Sequence, residues 1–137
     1  MIAAFLYAQL EEAEQITEAR LSIWQRYHEL LKPLEQSGLL RRPIIPDGCR
    51  HNGHMYYVLV AEGRRQQVLD ALKDHEIWAV FHYVPLHSSP AGIRYGRAHG
   101  SLDVTNSLAE RLIRLPLWVG FTAAQQERVA EVLAAIA

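Results

Sequence analysis

Residues 80–90, VFHYVPLHSSP, bring His82, Tyr83 and His87 within one short stretch. Imidazole and phenol groups both donate and accept hydrogen bonds, and histidine changes charge near neutral pH. Such a triplet could bind a ligand, but the composition alone does not say which. Pro85 and Pro90 fix φ and push the preceding residues toward extended geometry. The side chains therefore stand on a rigid exit from a strand, a common place for binding groups.

Other chemistry-bearing sets are weaker. CRHNGH places Cys49, His51 and His54 together, and His82, His87 or His99 could complete a metal shell. The spacing matches no standard zinc pattern and lacks a paired cysteine knuckle, so hydrogen-bonded loop histidines are the plainer reading. Cys49 with a histidine, or Ser88 and Ser89 beside His87, offer a nucleophile and a base. No motif supplies an orienting group, an oxyanion hole or a G-x-S-x-G elbow. GIRYGRAHG sets Arg94 and Arg97 among glycines, which could hold an anion, but the spacing is neither a P-loop nor a dinucleotide fingerprint. A solvated loop accounts for it. Lys32 ends a long helix and Lys73 lies on the outer face of a short one; neither reads as a desolvated Schiff-base amine.

The elements that position these residues follow from periodicity. Leu6, Leu10, Ala13, Ile16, Ala19, Ile23, Tyr27, Leu30 and Leu34 recur at three- and four-residue steps, predicting one long helix over about residues 3–32 with a single buried stripe. Pro33 marks its end or a kink, and Gly38 a stop. GHMYYVLV reads as an interior strand, with Tyr56, Val58 and Val60 on one face and Met55, Tyr57 and Leu59 on the other. RRQQVLDALKDHE reads as a helix with Val68, Leu69 and Leu72 inward, and IWAVFHY as the strand that delivers the loop. An irregular stretch with glycines at 92, 96 and 100 comes next, then a helix from about 106 to 111 capped by Thr105. IRLPL is short and extended. Thr122 and Gln125, in capping-box spacing, open a last helix whose stripe is Val129, Val132, Leu133 and Ile136. The fold class is α+β: a long N-terminal helix, then a small sheet packed with helices. Residues 1–36 form the helical unit and residues 37–137 the small domain.

The start of the long helix has no Ser, Thr, Asp or Asn cap, and its first two turns, from Met1 to Ala8, are apolar on every face. Met1 is therefore expected to lie inside a helix of a longer protein, making the chain a fragment. A frayed terminus or a contact between two copies is the alternative, and exposed apolar residues near Phe5 and Leu6 predict a homo-oligomer.

Size and composition bound the function. The chain has 137 residues, half of them hydrophobic, which suits one domain with a real core. A net charge of −1 without a long basic run argues against nucleic acid or an anionic membrane as partner. A single cysteine excludes an intrachain disulfide and fits a cytoplasmic location. The N-terminal stretch is neither a signal peptide nor a membrane span.

Four segments in this order, AFLYAQLEEAEQITEARLSIWQRYHELL, PDGCRHNGHMYYVLV, VFHYVPLHSSPAG and AERLIRLPLWVGFT, resemble the C-terminal part of the DegT/DnrJ/EryC1/StrS sugar aminotransferases. The resemblance covers essentially the whole chain from Ile2. It implies the long helix and small C-terminal α+β domain of a type I pyridoxal-phosphate enzyme. It also implies conversion, in the longer protein, of a dTDP-4-keto-6-deoxy sugar to its 4-amino form, with glutamate as amino donor. The family's Schiff-base lysine motif and cofactor-binding residues have no counterpart here, so the chain alone is expected to bind no pyridoxal phosphate and to be inactive. On this resemblance His82 and Tyr83 offer hydrogen bonds to sugar hydroxyls or the diphosphate, while His87 supports the loop or reaches the substrate. No family role carries over to Arg94 or Arg97. A freestanding α+β interaction or ligand-binding module, without catalysis, is the rival reading.

Overall fold

The N-terminal helical run is broken twice. A computed structural model describes residues 2–136, so Met1, on which the fragment expectation turns, lies outside the described residues. Helix α1 spans Ile2–Glu11, α2 Ala13–Leu30 and α3 Lys32–Gln36. The first break is at Glu12, with φ −97° and ψ 8°, yet the Ile16 amide still donates to the Glu12 carbonyl at 3.0 Å. The second is at Leu31, two residues before Pro33, whose missing N–H cannot continue the ladder. Gly38 then adopts φ +80°, a left-handed position that glycine takes without strain.

The single predicted stripe is corrected by where burial begins. Leu6 and Leu10 are exposed, and α1 has no buried residue. Trp24 and Tyr27, with Leu31 just beyond α2, are the residues that enter the core. The apolar pattern of α1 therefore has no matching surface among the described residues.

The sheet has four antiparallel strands in the order β1-β2-β4-β3. They are β1 Leu40–Arg41, β2 Tyr56–Val60, β3 Val80–Phe81 and β4 Leu112–Leu115. Strand β2 is interior, as its two apolar faces predict. IWAVFHY shrinks to a two-residue edge, while IRLPL supplies a central strand that pairs Tyr56 with Leu115 and Val58 with Ile113. Helix α4, Arg65–Asp74, matches expectation. The stretch read as irregular contains a 3-10 turn at Leu86–Ser88 and helix α5, Pro90–Tyr95. Helix α6, Asp103–Arg111, has Leu102 at its N-cap, so Thr105 lies inside it and caps nothing.

Helix α7, Ala123–Ala135, opens on the predicted capping box. The Thr122 hydroxyl accepts from the Gln125 amide at 3.3 Å, and the Gln125 side chain accepts from the Thr122 amide at 2.9 Å. Thr122→Ala is expected to lower stability by about 1 kcal/mol, read as a shift of the urea midpoint; an unchanged midpoint would mean the box is not formed in solution.

One cluster unites the layers. Tyr56, Val58, Val60, Ile113 and Leu115 from the sheet meet Trp24, Tyr27 and Leu31, then Val68 and Leu72 of α4, and Val129, Val132 and Leu133 of α7. Gln126 is buried beside them, and its amide donates to the Ile23 carbonyl at 2.8 Å, fixing α7 against α2. No helix among the described residues is long and apolar enough to cross a membrane.

Candidate functional site

Strand β3 leaves the sheet edge at Phe81 and hands the chain to His82, Tyr83 and Val84. Pro85, at φ −56° and ψ 137°, turns it into the 3-10 turn. The Ser89 hydroxyl then caps α5, accepting from the Gly92 amide at 3.0 Å, with Pro90 in the first turn. Two more short bonds stiffen the bend: the Ser88 hydroxyl donates to the Pro85 carbonyl at 3.2 Å and the Ser89 hydroxyl to the Leu86 carbonyl at 2.8 Å. Gly92 matters for space rather than for dihedral freedom, because a Cβ there would lie 1.6 Å from the Leu86 carbonyl oxygen. The rigidity predicted from the prolines is therefore reinforced by serine hydroxyls and one close backbone approach.

Along this loop His82 is half-buried and its ring meets the Tyr83 ring edge-on, centroids 4.6 Å apart. The His82 Nδ1 is buried without a hydrogen-bond partner among the described residues, an unusual condition for a ring nitrogen. Tyr83 is 70% exposed. His87 turns the other way, and its Nε2 lies 2.9 Å from Oδ1 of Asn106 in α6.

Two clefts flank the loop. The larger, about 770 Å³, is lined by His82, Tyr83, Leu86, Thr105, Leu108 and Leu112 among others. The smaller, about 220 Å³, lies between Tyr83, Pro85 and Ser88 on one side and Asn106 and Glu110 on the other. His82 and Tyr83 line the larger cleft together, whereas His87 lines neither. Asn106 was missed by sequence reasoning because it is distant in sequence from its partner; an amide in the first turns of the helix expected there was the one signal that could have found it.

The remaining candidates are accounted for locally. The Ser88 and Ser89 hydroxyls are engaged with backbone, not with His87, so they form no nucleophile–base pair. Cys49 is exposed. His51 packs on Trp24 at 4.4 Å, and its Nδ1 accepts from the Gly53 amide at 3.3 Å. The Arg94 guanidinium sits 5.0 Å from the centroid of its neighbour Tyr95.

A second polar cluster lies at the far end of α2. His28 stacks on Trp24 at 4.8 Å, and its Nδ1 is 3.3 Å from the Tyr56 hydroxyl. Arg42 donates to the His28 carbonyl and pairs with Glu35 at 2.7 Å. Burial, then the nearby Arg42 charge, hold the His28 pKa below its ordinary value. Burial acts to raise the Glu35 pKa, but the hydrogen bonds from Arg42 outweigh it and the net direction is down. For His28 the unfolded chain takes the proton first. Stability is therefore full above about pH 6.5 and falls as the pH drops toward the lowered folded value. Urea midpoints measured between pH 7.5 and 5 are expected to decline in the wild type and to flatten in His28→Asn, which keeps an acceptor near Nδ1 but does not titrate. Equal slopes for the two proteins would remove His28 as the cause.

Pyridoxal phosphate, the cofactor implied by the sequence resemblance, needs a lysine amine within reach of its ring and donors for its phosphate. Lys32 at the start of α3 and Lys73 in the last turn of α4 are the chain's lysines. Both are exposed and neither lines a cleft beside the loop. These residues do not fit the cofactor.

The fold matches part of larger aminotransferase chains. A DegT DnrJ EryC1 StrS aminotransferase from Brucella abortus superposes with a TM-score of 0.83 at 30% identity, over 97% of this chain and 34% of that one. S. venezuelae DesV in complex with a ketimine intermediate gives 0.85 at 25% identity, over 97% and 35%. Residues 1–134 match the DegT/DnrJ/EryC1/StrS aminotransferase family, and the chain belongs to it. It is 32% identical over 132 residues to the dTDP-3-amino-3,4,6-trideoxy-alpha-D-glucose transaminase of Micromonospora megalomicea, covering 94% of this chain and 34% of the relative. A dTDP-4-dehydro-2,3,6-trideoxy-D-glucose 4-aminotransferase of Saccharopolyspora spinosa is 29% identical over 131 residues. The chain thus spans about a third of the length of the relatives it matches.

Proposed function

We propose that this chain is the C-terminal small domain of a pyridoxal-phosphate-dependent nucleotide-sugar aminotransferase. The longer protein transfers an amino group from glutamate to a dTDP-4-keto-6-deoxy hexose in the cytoplasm, as a homo-oligomer. The observation that carries this reading is similarity to dTDP-sugar transaminases over nearly all of this chain but only a third of theirs. Residues 1–36 join the domain to the large one, and residues 37–137 form the small domain proper. His82 and Tyr83 meet the sugar nucleotide. The exposure of Tyr83 and the place of His82 beside it on the wall of the larger cleft support that role. Without the large domain the chain does not catalyse.

Following the coding frame upstream of the Met1 codon tests the proposal. The expected result is an open frame with a Schiff-base lysine, whose product forms 2-oxoglutarate from glutamate only when a dTDP-4-keto-6-deoxy sugar is present. A stop codon directly ahead of Met1, or a longer product that ignores nucleotide sugars, overturns it.

A further inference from the structure

The hydrogen bonds of residues 82–96 are almost all local. Those of Ser88, Ser89, Gly92, Ile93 and Gly96 begin and end within the segment. They make the loop and α5 one stiff body without tying that body to the rest of the domain. Among the described residues, the one side-chain hydrogen bond from this segment to another element is that between His87 and Asn106.

Its chemistry is directional. A side-chain carbonyl oxygen only accepts, so Oδ1 of Asn106 requires a proton on His87 Nε2. The neutral ring is then the Nε2–H tautomer, and protonation of Nδ1 leaves the bond intact. Its position is equally specific, because both clefts have the loop as one wall and α6 as the other.

We infer that Asn106 is a positioning residue that, through His87, sets the separation between the 82–89 loop and α6 and so the width of the cleft where His82 and Tyr83 stand. His87 is then an anchor of the loop and not a group that touches substrate. The consequence for substrate binding rests on the function proposed above; the anchoring itself does not.

The test compares Asn106→Leu, which keeps the size and removes the acceptor, with Asn106→Asp, which keeps the oxygen. Long-range nitrogen–proton spectra of the 137-residue chain report the His87 tautomer, and amide relaxation reports the mobility of Tyr83, Val84 and Leu86. Wild type and Asn106→Asp are expected to show the Nε2–H form and an ordered loop. Asn106→Leu is expected to lose that signature and mobilise those amides, while the rest of the domain keeps its spectrum. An Nδ1–H ring in wild type, or an equally rigid loop in Asn106→Leu, overturns the inference. If Asn106→Leu does not fold, His87→Gln against His87→Phe repeats the comparison: Gln retains a donor near Nε2 and is expected to hold the loop. A rigid loop in His87→Phe overturns the inference as surely. In the longer enzyme, Asn106→Leu is expected to raise KM for the nucleotide sugar about three- to tenfold with little change in kcat. A mobile loop with unchanged KM would sustain the anchoring and overturn the substrate role of His82 and Tyr83.

Discussion

Tyr27→Ala is expected to remove about 3–5 kcal/mol of folding stability. The side chain is fully buried, with ring centroids 5.1 Å from Tyr56 and 6.0 Å from Phe121. Its hydroxyl donates to the Pro116 carbonyl at 3.1 Å, joining α2 to the end of β4. Burial, then the neighbouring Tyr56, push the phenol pKa far up, so the group stays a neutral donor at every pH of interest. Truncation opens a cavity where helix and sheet meet and leaves a carbonyl without its partner. Set against a typical domain stability of about 5–15 kcal/mol, the loss brings much of the population near unfolding at 37 °C. Tyr27→Phe separates the terms: it keeps the ring and gives up only the hydrogen bond, about 1 kcal/mol. Urea unfolding of both variants reads the difference. Equal midpoints would mean that α2 is not seated on the sheet through this ring.

Gly92→Ala is expected to disrupt the loop more than any surface change on it. The backbone atom it would strike, the Leu86 carbonyl oxygen, already accepts from the Ser89 hydroxyl. Relieving an approach of 1.6 Å means moving the 3-10 turn or unwinding the start of α5. Either movement strains the bond from His87 to Asn106. Overpacking of this kind costs about 1–3 kcal/mol, but the diagnostic loss is local: amide protection across residues 86–93 should fall while the core keeps its protection. Gly63→Ala is the matched control. Gly63 has φ +74° with nothing within 4 Å of the point a Cβ would occupy, so only about 1–2 kcal/mol of left-handed strain is added. If Gly92→Ala behaves no worse than this control, the close approach to Leu86 does not exist in solution.

What was legible in the sequence is what local pattern determines. Val68 and Leu72 announce α4, Thr122 with Gln125 announces α7, and the two apolar faces of Tyr56 to Val60 announce an interior strand, because each signal lies within one element. The position of Leu112–Leu115 at the centre of the sheet was not legible, since it follows from pairing with residues far back in the chain. The same limit hid Asn106, whose partner is on another element. The helical stripe failed at Leu6 and Leu10 for a different reason: periodicity states which face is apolar, not whether a surface exists to cover it. On the loop, Tyr83 and His82 stand out by residue type and proline stiffening, and both line the larger cleft. The division of labour between them and His87 depends on side-chain direction, which sequence does not carry.

The sheet's order also governs how the molecule behaves in a crowd. Its longer strands, β2 and β4, are both interior, while each open border, β1 and β3, is two residues long. A stranger's strand needs a run of free amides and carbonyls to zip against, and such short borders offer little template for it. Protection against fibrous aggregation is thus built into the strand order itself, and a substitution that lengthened β3 into residues 82–84 would put it at risk along with the loop.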